Sequence, residues 1–179
     1  MKTIVDGKMC TMPEPPVSTL EERIQRLEDR RAIEECMYHY MWACDNIDPV
    51  GMSSCFTETG KLSWGDIYEG YYNGRAEICE KLSGMLGAAR TQSHFCTNQQ
   101  IWFETPDSAI VHCYMYSWQT WKDPLKKDTV CYGRYELQVV RDTDGEWRFQ
   151  SFKLVMAGQE GGVRSEEHFN RPWPPQPIK

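Results

Sequence analysis

The pattern of apolar and polar positions divides the chain into a helical first half and a strand-rich second half. From Leu20 onwards, Leu20, Ile24, Leu27, Ile33, Met37, Tyr40, Met41 and Cys44 recur mostly at three- and four-residue steps, which puts an apolar stripe on a helix. Ser18 supplies an N-cap with Glu21 three residues on, and Glu22 adds a negative charge where the helix dipole favours one. The spacing predicts a long helix over 19–44, with Asp45 at its end. Asp48 followed by Pro49, a capping residue before proline at the first helical position, predicts a short second helix through Phe56. Ile78, Leu82, Met85 and Leu86 mark a third amphipathic helix within RAEICEKLSGMLGAA.

After Arg90 the period becomes alternating. SHFCTNQQIWFE, AIVHCYMYSWQTW, DTVCYGRYELQVVR and EWRFQSFKLVMA are rich in aromatic and β-branched residues, and turn clusters TPDS, KDPLKK and DTDG separate them. Asp144 and Gly145 give a hairpin signal, and LSWGDIYEGYY reads as one or two short strands further upstream. Strands joined by short turns are antiparallel, so the expected architecture is α+β, helices first and then a strongly curved antiparallel sheet. Residues 1–17 read as a flexible Pro-rich lead, 18–157 as the domain, and 158–179 as a tail with too much glycine and proline for regular structure.

Composition narrows the classes. A chain of 179 residues with 40% hydrophobic content supports one domain with a sizeable core and is too short for two. No apolar run approaches membrane-spanning length and the N-terminus lacks a signal-peptide pattern, so a soluble cytoplasmic protein is expected, with no membrane partner. A net charge of −6 without any basic run excludes nucleic acid as the default partner. The 8 cysteines show neither a CxxC pair nor a Cys/His cluster, so no metal site is expected and most read as small buried thiols in a reducing compartment.

A long helix across a curved sheet encloses a cone-shaped cavity, the place for chemistry. Alternation on the first long strand puts His94, Cys96 and Asn98 on one face; with that face concave, His94 meets Asp45 from the helix end. Neither residue is specific alone, since a helix-end aspartate commonly caps and a strand histidine is commonly satisfied or exposed. Together they make a base and its orienter: His94 takes an acidified proton, Asp45 stabilises the imidazolium, and Tyr40 donates to a developing oxyanion or leaving hydroxyl. The outcome is elimination of water or a proton shift, with no metal or organic cofactor needed. Met115, Trp64, Tyr114 or Trp118 around the pocket would favour a flat or polycyclic apolar substrate. His112 is expected on the other surface of the sheet, His39 in solvent, and His168 in the tail. The many strand aromatics predict a homo-oligomer that covers the convex face.

LEDRRAIEECMYHYMWACDNIDPVGMSSCF, EGYYNGRAEI, SHFCTN and YELQVVRDTDGEWRFQSFKLV occur in the order and at the spacing of one known family. In these segments the chain resembles the SnoaL-like group of the nuclear-transport-factor-2 superfamily, over 18–157. The resemblance implies a cone-shaped fold, a cofactor-free dyad at Asp45 and His94, and a dimer or trimer. Within the family the chain is most similar to the scytalone dehydratase and bile-acid 7α-dehydratase types, sharing the Tyr40 to Asp45 spacing, the LEERI opening and an EEHF segment in the tail. It departs from them at Ser117, where the bile-acid enzymes carry an acid, and near Trp64, where scytalone dehydratase has a tyrosine. Trp64, Asn98, Met115 and Ser117 are the expected substrate contacts. The implied activity is that of a cofactor-independent lyase, removing water from a hydroxylated cyclic small molecule such as a steroid or polyketide. The alternatives are an isomerase or polyketide-type cyclase with the same dyad, or a non-catalytic binding module.

Overall fold

The computed structural model describes residues 14–64 and 70–160. The lead before Glu14, with Cys10, and the tail after Glu160, with EEHF and His168, lie outside the described residues. Three helices pack on one six-stranded sheet. Helix α1 spans Leu20–Asp45, α2 Pro49–Ser54 and α3 Arg75–Leu86. The strands are β1 (Phe56–Ser63), β2 (Tyr72–Asn73), β3 (Ala89–Thr105), β4 (Ser108–Trp121), β5 (Thr129–Arg141) and β6 (Trp147–Glu160). They lie in the order β2-β1-β6-β5-β4-β3, an open curved sheet under a long N-terminal helix, the α+β cone.

The cap of α1 sits one residue later than the sequence suggested. Thr19, not Ser18, accepts from the backbone of Glu22 at 3.1 Å, and Glu22 reaches back to Thr19 as the reciprocal half of a capping box. Two overlapping Ser/Thr-x-x-Glu registers were available, and Glu22 bonds the backbone N–H of both Ser18 and Thr19.

The buried stripe of α1 also differs. Ile33, Met37, Tyr40, Met41 and Cys44 are buried as expected, but Leu20 and Leu27 are 65% and 67% exposed and Ile24 is exposed too. Nine residues separate Ile24 from Ile33, and 3.6 residues per turn put them about 180° apart. The sheet-facing positions of the first turns are polar instead. Asp29 is buried against Arg141 at 2.6 Å and the Trp147 indole N–H at 3.1 Å, while the Arg26 guanidinium lies over the Phe103 ring.

The sheet is mixed, not wholly antiparallel, because β1 runs parallel to β6 with Leu62 opposite Phe152. The short-turn argument holds for the meander β3 to β6 but says nothing of β1, which reaches β6 only after α3 and four strands have intervened. Strand β1 also starts at Phe56, just after α2, where the sequence suggested the end of the second helix and no strand before Leu62. Phe56, Phe149, Phe152 and Tyr40 meet edge-on or tilted, with ring centroids 4.7–6.1 Å apart, and lock the helix end to β1 and β6. Bulges at Thr97/Gln100, Tyr132/Gly133 and Gln138/Val139 bend the meander, as bulges increase local twist.

Candidate active site

Strand register builds the site in rows across the concave face. His94 on β3 lies opposite Ser117 on β4, Ser117 opposite Cys131 on β5, and Cys131 opposite Gln159 on β6. One pleat further along, Cys96, Met115, Gly133 and Met156 are in register; one pleat the other way come Gln92, Gln119 and Thr129. These rows floor a cavity of about 500 Å³, closed above by Tyr40 and Cys44 of α1 and at the side by Leu82, Met85 and Leu86 of α3. Its deep end is apolar, with Met115, Tyr135, Leu154 and Met156, and its outer end is polar.

Helix α1 ends where β3 passes beneath it, and Asp45 binds His94 twice. Its Oδ1 is 2.8 Å from Nδ1 of the ring, and Oδ2 accepts from the His94 backbone N–H at 3.1 Å. The carboxylate accepts here, so in the neutral imidazole it is Nδ1 that carries the hydrogen and Nε2 that holds the lone pair. That nitrogen faces the cavity, 3.9 Å from the Cys44 sulfur. Burial and the neighbouring Asp45 charge push the Cys44 thiol up to about 12, so it stands beside Nε2 as a neutral S–H. Cys44, Asp45 and His94 together have three atoms within 4.8 Å that could meet a metal ion. Both Asp45 oxygens are engaged by His94 in this arrangement.

Tyr40 is buried beneath the cavity, and burial raises its phenol well above the usual value, so it stays protonated. Tyr135 lines the same space and is raised for the same reason. Among the described residues no fully buried side-chain oxygen lacks a partner, and neither phenol makes a hydrogen bond; both oxygens therefore open onto the cavity.

Of the residues singled out from sequence, Tyr40, Trp64, His94, Met115 and Ser117 line the cavity, with Asp45 behind His94. Asn98 does not. It sits in the bulge between Thr97 and Gln100 with φ 55°, so the alternation that carries His94 and Cys96 inward stops before it. Tyr114 and Trp118 are exposed on the convex surface, on the opposite pleat from Met115 and Ser117. His112 is on that surface too, against the Trp102 ring, and His39 is exposed.

Sequence reasoning missed Cys44, Gln92, Gln119, Lys126 and Tyr135. The β5 and β4 residues could have been found from register with His94; Gln92, which donates to the Cys44 carbonyl, lies two residues from His94 on the same face. Lys126, in the turn between β4 and β5, gives no periodic signal.

The chain matches the SnoaL-like domain over residues 25–153 and belongs to that family, within the nuclear-transport-factor-2-like superfamily. Its fold is similar to that of a scytalone dehydratase-like protein of Novosphingobium aromaticivorans, with TM-score 0.73 and 26% identity over 80% of this chain and 94% of the other. An aromatic ring hydroxylase-like protein of the same organism gives 0.69 and 25% over 76% and 94%. A hexachlorocyclohexane dehydrochlorinase, LinA-type3 of Novosphingobium barchaimii, shares the fold at 0.68 and 16% identity over 80% and 97%. No curated protein matches the chain. Among the described residues, no helix is long and apolar enough to cross a membrane.

Proposed function

We propose that the protein is a cofactor-independent lyase that eliminates water from a hydroxylated cyclic small molecule, with His94 as the base. The observation that carries this reading is the pairing of Asp45 with Nδ1 of His94, which leaves Nε2 as a lone pair in a largely apolar cavity. Nε2 takes a C–H proton acidified by an adjacent carbonyl or ring system, and the electron pair forms the C=C bond as the C–O bond breaks. The departing hydroxide receives a proton from the imidazolium or through the Tyr40 phenol, so water leaves and His94 returns to its starting state. Asp45 stabilises the imidazolium between the two transfers. Tyr40 and Tyr135 offer unpaired phenol donors to charge that develops on oxygen. The similarity to a scytalone dehydratase-like protein supports the same reaction class.

A proton shift without loss of water, as in an isomerase or cyclase, is the second reading. Among the described residues no carboxylic acid lines the cavity, so leaving-group protonation rests on His94 and the phenols alone. A cavity of about 500 Å³ with Met115, Trp64 and Met156 in its wall suits a flat or polycyclic body, a steroid or aromatic polyketide. The convex aromatic face suits a homo-oligomer, dimer or trimer, of a cytoplasmic protein.

The test is mass spectrometry of hydroxylated steroids, keto-steroids and aromatic polyketides incubated in deuterated water with wild type or His94→Ala. Loss of water that disappears in the variant supports the lyase. Deuterium uptake without that loss moves the assignment to isomerase or cyclase. Full turnover in both His94→Ala and Asp45→Asn refutes the dyad.

A further inference from the structure

Among the described residues, one full positive charge and no negative one faces the cavity: apart from His94, the lining is neutral except for Lys126. Lys126, in the turn between β4 and β5, lines the same cavity as Gln92, Gln119 and Thr129, which lie two rows of the sheet from Met115. Its position is built. The buried Thr129 hydroxyl accepts from the Trp121 indole N–H at 3.0 Å, which fixes the ring plane, and Lys126 Nζ lies 3.1 Å from the centroid of that ring. A cation so placed is held by the ring quadrupole, and only its N–H groups directed away from the ring remain for a ligand. No carboxylate among the described residues is within 4.0 Å of it, although thirteen other such contacts occur on this domain. Lys126 and Trp121 also border a surface groove of about 440 Å³ together with Arg90, Asp123 and Asp128, where two acids balance two bases; those acids line the groove and not the cavity.

We propose that Lys126, seated on Trp121, is a specificity-determining residue that receives a carboxylate carried by the cyclic ligand at the end opposite its apolar body. One ammonium balances one negative charge, which fits a carboxylate better than a dianion. Neutral amides at Gln92 and Gln119 complete a polar outer row around it, and the partly enclosed wall screens the pair less than open water would. The inference rests on the reading of this cavity as the ligand site. It adds that the ligand is an amphipathic acid, bound with its ring system toward Met115 and its carboxylate outward.

The test uses naphthoate and its neutral counterpart naphthamide as probes, followed by the fluorine resonance of Trp121 in fluorotryptophan-labelled full-length protein. Wild type, Lys126→Met and Lys126→Arg are titrated with both; methionine keeps an apolar stem against the indole. Naphthoate is expected to bind wild type more tightly than naphthamide, to lose roughly fivefold in Lys126→Met, and to recover in Lys126→Arg. Added salt weakens naphthoate alone, and naphthamide binding is the same in all three proteins. If Lys126→Met weakens both probes equally or neither, the assignment of Lys126 is overturned while the cavity stands as a ligand site. If neither probe moves the Trp121 resonance, this inference and the small-molecule reading of the cavity fail together. The dyad is judged separately, by turnover in His94→Ala.

Discussion

Cys96 on β3 interacts with the Cys113 thiol on β4 and accepts from the Gln99 amide at 3.6 Å, and together these draw the Cys96 pKa down to about 7 against the opposing effect of burial. Cys113 is driven the other way by the same thiol–thiol contact. Cys96 is only partly buried, so among the described residues it is the thiol best placed to react near neutral pH. Labelling by iodoacetamide is expected to fall on Cys96 before Cys44, whose thiol is held up to about 12. The Cys96 rate rises with pH through about 7, because the thiolate forms above its pKa. Cys113→Ala removes the neighbouring thiol and moves that rise to higher pH; peptide mapping across a pH series reads both.

The two bonds from Asp45 to His94 separate two roles. Oδ1 orients the ring, and Oδ2 ties the strand backbone to the helix end. His94→Ala should lower kcat/KM by about 10²–10⁴-fold, the usual worth of a positioned general base, with a folded protein. Asp45→Ala strips both acceptors and leaves a partly buried N–H unpaired, which costs about 1–3 kcal/mol of stability in addition to activity. Urea unfolding of the two variants tells them apart: Asp45→Ala shifts the midpoint more than His94→Ala does.

The meander was legible in the sequence because each strand is bounded by turn residues and alternates at least in part; the β4 pattern puts Cys113, Met115 and Ser117 inside and Tyr114, Tyr116 and Trp118 outside. Asp45 and His94 were legible as a pair because a helix end and a strand face are local features. What failed was non-local or cumulative. Ile24 and Leu27 fit three- and four-residue steps locally, yet the six-residue step from Leu27 to Ile33 rotates them off the buried face. Asn98 obeys the two-residue period until a bulge breaks it, and a bulge has no signature in SHFCTNQQ. The parallel pairing of β1 with β6 depends on a partner about ninety positions away, as in Leu62 and Phe152.

Tyr40 carries a prediction in which stability and activity part company. Its ring packs against Phe56, Phe149 and Phe152, while its hydroxyl bonds to nothing among the described residues. Tyr40→Phe therefore keeps the packing and should leave the melting temperature unchanged, while lowering kcat by about tenfold or more if the phenol donates in the transition state. Tyr40→Ala should cost about 3–5 kcal/mol, as for other buried aromatics. Calorimetry alongside turnover separates the two; an unchanged kcat in Tyr40→Phe would assign the donor role to Tyr135 instead.

Gly133 on β5 lies in register between Met115 of β4 and Met156 of β6, where a side chain has no room. A Cβ there would stand 2.6 Å from the Val155 carbonyl oxygen and 3.4 Å from the Met115 methyl. The first contact is with backbone, which cannot swing aside. Gly133→Ala should destabilise by about 1–3 kcal/mol and push β5 from β6 at the bulge. Gly84, with open space around its Cβ position, supplies the control: Gly84→Ala in helix α3 should stabilise by a few tenths to about 1 kcal/mol. Thermal unfolding of the two variants should move in opposite directions.

On the convex face, cross-strand register stacks Phe95, Tyr116 and Tyr132 into a ladder over three strands, with centroids 5.9 and 5.6 Å apart. Tyr114 and Trp118 flank it, and all five rings are substantially exposed. A contiguous aromatic surface of this kind is costly in water, and a second copy of the chain offers the matching one. Light scattering is expected to give a mass of two or three times 20.9 kDa. Tyr116→Glu places a charge at the centre of the ladder and should lower that mass to the single chain, with circular dichroism unchanged because the side chain points away from the core. A single-chain mass for wild type would mean that the ladder serves another partner or none.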